Sequence, residues 1–120
     1  MHTDHASTAY DSTEDSITTV AELKGWIDRF AADRRWETFH RPKSLAMSVA
    51  IEAAELMEHF QWADPDAEQL DPAAKIAIAD ELSDVLSYLL RLASVLELDI
   101  TSSLREKMVK NARKYPLPAP

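Results

Sequence analysis

The 120-residue chain reads as an all-α protein, a four-helix bundle protomer small enough that assembly as a homo-oligomer would help bury its apolar surface. Three observations predict this. There is a single glycine among 46% hydrophobic residues, so the tight turns of a β-rich fold have little to build on. Apolar residues recur at helical spacing in four stretches, while alternation bounded by turn residues is missing. At this length a single domain has a thin core, which association with further copies would thicken.

Met1 to Ser16 is polar, with His2, Asp4, His5, Asp11, Glu14 and Asp15, and is expected to be a mobile tail. Its two histidines have no scaffold to turn them into a metal site. Residues 17–116 form the expected domain, and 117–120 a short Pro-rich C-terminal tail. Thr19 with Glu22 fits a capping box, and Val20, Leu23, Ile27 and Phe30 follow at helical spacing, so a first helix should run from about Val20 to Ala32. Gly25 weakens it locally. From Asp33 to Pro42, aromatics and cations crowd a segment that Pro42 keeps from continuing as a helix, and Trp36 and Phe39 can plug the end of the bundle.

Ser44 can cap a second helix that continues to about Gln61, with His59 near its C-terminus as a surface residue. Asp64-Pro65 opens a loop lasting to Asp71. Asp71 before Pro72 starts a third helix running to about Leu96. Asp99 caps a fourth, where Ile100, Leu104 and Met108 make a thin apolar stripe, and Tyr115-Pro116 ends it. Its basic residues Arg105, Lys107, Lys110, Arg113 and Lys114 are either a solvated face or the complement of an acidic site and a phosphate ligand.

The chemistry concentrates between Ser44 and Arg91. The second and third helices each carry a carboxylate pair three residues apart, Glu52 with Glu55 and Glu81 with Asp84. An i, i+3 pair lies within roughly 60° on one helix face, so each pair points one way. Ala46, Met47, Val49, Ile51 and Leu56 surround the first pair, and Ile78, Leu82, Val85, Leu86 and Leu89 the second, which predicts buried helices with narrow polar strips. Asp80 points about 100° away from Glu81 and is flanking. Ionised carboxylates withdrawn from water need a cation, and only Arg91 shares the strip. Oxygen ligands without cysteine suit a hard ion, Mg2+ with Mn2+ as a substitute. The plainer alternative is a solvated face, or ion pairs with Lys107 or Arg113. Carboxylates gathered between two helices and loaded with metal suit phosphoryl or nucleotidyl chemistry on a small molecule.

A net charge of -8 argues against a nucleic acid polymer as partner. The absence of cysteine excludes disulfides and thiolate metal sites. With no apolar run long enough to cross a membrane and no leader-like N-terminus, the expectation is a soluble cytoplasmic protein.

These motifs resemble the all-alpha nucleoside triphosphate pyrophosphohydrolases, the MazG-like group, whose signature is ExxE followed by ExxD on the next long helix. The likeness runs from Leu23 to Pro116 and includes the Trp36 to His40 stretch, Phe60-Gln61-Trp62, Asp80-Glu81-Leu82-Ser83-Asp84-Val85, and Lys107-Met108, Asn111 and Lys114-Tyr115-Pro116. The single-domain dCTP pyrophosphatase branch is the most similar. The resemblance implies that Glu52, Glu55, Glu81 and Asp84 bind Mg2+ and act catalytically, releasing a monophosphate and pyrophosphate. It implies a base and sugar pocket of Trp36, His40, Trp62 and Tyr88, with Lys107, Asn111, Lys114 and Tyr115 near the phosphates. It also implies dimers or tetramers, and dCTP or a modified pyrimidine triphosphate as substrate. Tyr88, four residues after Asp84, shares the face of the metal pair on spacing alone. Where that branch often has glycines flanking the first pair, this chain has Ile51 and Ala54. Two alternatives differ in their consequences: the same fold acting on dUTP or another phosphorylated metabolite, or a non-enzymatic helical module gripping a basic partner.

Overall fold

The computed structural model describes Tyr10 and residues 14–120. Among these residues there are four α-helices and no strand: α1 (Val20–Asp33), α2 (Pro42–Glu58), α3 (Pro72–Val95) and α4 (Ile100–Lys114). A short 3-10 turn, Ala67–Gln69, interrupts the loop between α2 and α3. Most of the expected N-terminal tail, His2 and His5 included, lies outside the described residues. Within it, Glu14 carbonyl accepts from the amides of Ile17 and Thr18, both at 2.9 Å, and leads the chain into α1.

Three helix starts follow side-chain chemistry. Thr19 Oγ1 accepts from the Glu22 amide at 3.1 Å, Asp71 Oδ1 from the Ala74 amide at 2.7 Å, and Asp99 Oδ2 from the Ser102 amide at 3.0 Å. Each contact satisfies an amide that the first turn leaves without a partner. The hydroxyl and amide of Ser102 hold the Asp99 carboxyl below its ordinary range.

The second helix departs from expectation at both ends. It begins at Pro42 rather than after Ser44, because proline at the first helical position has its φ preset and lacks only an amide that would go unbonded. It ends at Glu58 rather than near Gln61. Beyond it, the amides of Phe60 and Gln61 reach only three residues back, to Met57 and Glu58, so the chain tightens into a turn.

With one glycine in the chain, two helices are closed by other residues in the left-handed region: Arg35 at φ 56° after α1 and Glu97 at φ 55° after α3. In both, the amide of the following residue donates back five positions, Trp36 to Ala31 and Leu98 to Ala93, each at 2.9 Å. This is the Schellman arrangement, which returns the chain sharply onto the bundle.

The long helix α3 is the axis. It packs along α2 and against α1, whereas α4 leans away and leaves an apolar groove lined by Leu23, Leu86, Leu90, Leu104 and Met108. Only Ala31, Leu45, Leu90 and Ala93 form the fully buried hydrophobic core of the described residues. The expectation that α2 and α3 would be buried nearly all round is therefore corrected for a single copy. Ile51, Ile76 and Leu82 remain 58%, 64% and 54% exposed, because one chain supplies too few surfaces to cover two apolar helices.

Candidate functional site

Where α2 and α3 run together, Glu52, Glu55 and Glu81 converge. Each offers a carboxylate oxygen, and these oxygens all lie within 4.8 Å of one another. The i, i+3 spacing puts Glu52 and Glu55 one turn apart on the face of α2 that meets α3, and that pairing brings Glu81 to them. One oxygen of Glu52 and one of Glu81 are buried without a hydrogen-bond partner. No lysine or arginine forms an ion pair with the trio among the described residues.

The electrostatics follow from this crowding. Burial raises the Glu52 carboxyl above its ordinary range, helped by a hydrogen bond shared with Glu55 and by the charges of Glu55, Asp84 and Glu81. Glu81 is raised first by burial and then by Glu55 and Asp84, while His59 pulls the other way. Buried oxygens without partners, in a set of like charges, fit a hard divalent cation, which takes carboxylate oxygens and relieves the repulsion. Four of the expected ligands are thus placed unequally. The three glutamates form the cluster, and Asp84 stands beside it, near enough to act on both Glu52 and Glu81 by charge.

Asp84 also belongs to the wall of a cavity of about 430 Å3. Trp26, Phe30 and Ala31 of α1, Trp36 and His40 of the following loop, and Ser87, Tyr88 and Arg91 of α3 line it, with Tyr10 at its edge. Its size suits a small-molecule ligand. The rings meet edge to face: Tyr10 on Trp26 at 5.2 Å, Phe30 on Trp36 at 5.7 Å and Trp36 on His40 at 5.9 Å between centroids. The Arg34 guanidinium sits 3.4 Å over the Phe30 ring, a cation–π contact that helps hold it. Ser87 Oγ donates to the Ser83 carbonyl at 2.8 Å, so its proton is turned into the helix.

The expected pocket residues Trp36, His40 and Tyr88 thus line one cavity next to the carboxylates. Trp62 is 89% exposed and stands away from that cavity within one copy. Lys107, Asn111, Lys114 and Tyr115 lie along or just after α4, outside its wall; Lys114 Nζ rests 5.4 Å from the Tyr115 ring.

Several participants escaped the sequence reading. Trp26 lies four residues before Phe30, a helical spacing that would have revealed it. Asp28 gave no local signal, and His59, expected only as a surface residue near the end of α2, lies 3.9 Å from Glu81. Arg91 was placed on the carboxylate strip, yet its guanidinium bonds Asp28 and His40 instead. His40 is lowered from its ordinary value, first by burial and then by Arg91, against a smaller opposing effect of Glu37.

Comparison with known proteins agrees with this geometry. The MazG-like family matches residues 47–119, which include both carboxylate pairs. Rat dCTP pyrophosphatase 1 is 37% identical over 102 residues, covering 82% of this chain and 60% of the relative. The human protein of the same name is 38% identical over 101 residues, covering 82% and 59%. The chain thus spans about 60% of the length of these curated relatives. A crystal structure of a pyrophosphatase from Archaeoglobus fulgidus superposes with a TM-score of 0.75 at 37% identity, covering 88% of this chain and all of that one.

Proposed function

The chain belongs to the MazG-like family, and from that membership we propose that it is a metal-dependent nucleoside triphosphate pyrophosphohydrolase, with dCTP or a modified pyrimidine triphosphate as its first-ranked substrate. The observation that carries this reading is the junction of two features. A cluster of three glutamates that could hold a metal stands beside a ring-lined cavity, and Asp84 belongs to the surroundings of both.

Glu52, Glu55, Glu81 and Asp84 would hold Mg2+. When bound, that ion supplies charge neutralisation for the phosphates and a more acidic water. The protein's own part is placement. Trp36 and Tyr88 offer ring faces and edges to a base, which any nucleobase accepts through its π face. His40 offers a polar atom in the same wall. Seated there, a nucleotide would extend its triphosphate past Asp84 toward the glutamates. Water attack at the α phosphorus then breaks the bond to the bridging oxygen, and the products are a nucleoside monophosphate and pyrophosphate.

Residues 17–116 serve as the catalytic domain in this reading, working as a homo-oligomer. The exposed apolar faces of α2, α3 and α4 support association, Leu104 and Met108 being 60% and 57% exposed. A second copy would also bring Trp62 and the α4 residues Lys107, Asn111 and Lys114, with Tyr115, into reach of a site. No helix of the described residues is long and apolar enough to cross a membrane. We place the protein in the cytoplasm, where triphosphates are found.

The deciding experiment is product analysis after incubation with each dNTP and NTP, with Mg2+ or with chelator. Metal-dependent appearance of pyrophosphate and monophosphate is expected, with a pyrimidine deoxynucleotide preferred. Binding of Mg2+ without turnover of any triphosphate would remove the substrate assignment.

A further inference from the structure

Apart from the carboxylate cluster, the structure holds a polar relay that crosses three elements. Arg91 on α3 donates from Nη1 to Asp28 Oδ1 on α1 at 2.9 Å. Its Nε donates to Nδ1 of His40, in the loop before α2, also at 2.9 Å. The Arg91 side chain is only 12% exposed, so both contacts are sheltered from competing water.

A guanidinium can only donate, so Nδ1 of His40 must present its lone pair. A neutral imidazole accepting at Nδ1 carries its proton on Nε2. We infer that Asp28 and Arg91 are positioning residues that lock His40 as the neutral Nε2–H tautomer, making it a fixed hydrogen-bond donor in the cavity wall for an oxygen acceptor of the bound nucleotide.

The surroundings favour this state. Protonating Nδ1 would set two N–H groups against each other at the Arg91 contact. The charged groups facing the ring are Arg91, which disfavours the imidazolium, and Glu37, which favours it, and burial adds to the first. Asp28 balances the Arg91 charge and directs the guanidinium, without which the bond to His40 would have no fixed direction. The nature of the ligand rests on the proposed nucleotide activity, but the tautomer does not.

The test uses the full chain with 15N-labelled histidine, reading long-range 1H–15N couplings, with His40 identified by its loss in His40→Gln. In the unaltered protein at pH 7, His40 is expected to show an unprotonated Nδ1 and a protonated Nε2, and to resist protonation below the ordinary histidine range. Arg91→Leu should give mixed tautomers and raise the His40 midpoint. In the same variant KM for the accepted triphosphate should rise about three- to tenfold, the scale of one neutral hydrogen bond, with kcat changed less than about twofold. Asp28→Ala, at the more exposed end of the relay (38%), is expected to change the tautomer pattern and KM in the same direction. A proton on Nδ1 in the unaltered protein would overturn the inference. So would an unchanged tautomer pattern in folded Arg91→Leu or Asp28→Ala, or an altered pattern with unchanged KM. A protein that turns over no triphosphate would remove the proposed function, while the tautomer pattern would still uphold or overturn the lock.

Discussion

Nε2 of His59 lies 3.9 Å from Oε1 of Glu81, and it is the residue that closes α2. The end of one helix therefore overhangs the carboxylate cluster shared with the next. His59 is too far from Glu81 for a hydrogen bond and close enough to oppose the effects that raise the Glu81 pKa.

The pH dependence follows from the direction of these shifts. Glu52 and Glu81 are both raised in the folded protein, so their contribution to stability is present below the unfolded carboxylate pKa and is lost as pH rises through the folded value. A metal ion reverses this by binding the ionised cluster. Melting in Mg2+ or Mn2+ against chelator should show a larger gain at pH 7.5 than at pH 5. Equal gains at both would detach metal binding from these carboxylates.

Glu55→Gln removes the charge that acts on both Glu52 and Glu81 while keeping the side chain's shape. Metal-free melting temperature at pH 7.5 should rise by about a degree or more, since like-charge repulsion is relieved. The metal-induced gain should vanish, and turnover should fall to background, as it should for Asp84→Ala. Full activity in a clean preparation of either variant contradicts the metal assignment.

Trp62 offers a separation of folding from binding. At 89% exposed it supports nothing within one copy, so Trp62→Ala should leave the melting temperature of the protomer nearly unchanged. If the ring stacks on a base in the assembled site, KM should rise by the equivalent of about 1–3 kcal/mol with kcat nearly constant. An unaltered KM would assign Trp62 to assembly alone.

Glu97 sits at φ 55°, where a side chain other than glycine is strained. Glu97→Gly should stabilise the fold by about 1 kcal/mol, the relief of left-handed strain less the added freedom of the unfolded chain. Thermal melting would register this as a rise of several degrees, about 4–8 °C per kcal/mol for a domain near this size. A fall would mean that the Glu97 side chain has a stabilising role.

Local chemistry was legible from residues alone because its causes are local. Thr19, Asp71 and Asp99 cap helices through contacts three residues long, and the i, i+3 spacing places each carboxylate pair on one face whatever the helix packs against. Thus the four helices, the two acidic pairs and the resemblance they carry were settled by sequence. Even local reading failed where two caps competed, and Pro42 took the start of α2 from Ser44.

Contacts between distant segments were decided only by the tertiary structure. His40 and Arg91 are 51 residues apart, and Asp28 and Arg91 are 63 apart. Nothing in the spacing of Arg91 could say whether it would answer the carboxylates on its own helix or the loop beneath them. The packing of α1 and its following loop against α3 gave it His40 and Asp28, and so left the glutamates without a lysine or arginine partner among the described residues. The reason is physical: helix periodicity fixes which side chains share a face, whereas the partner opposite that face is chosen by how whole helices fit together.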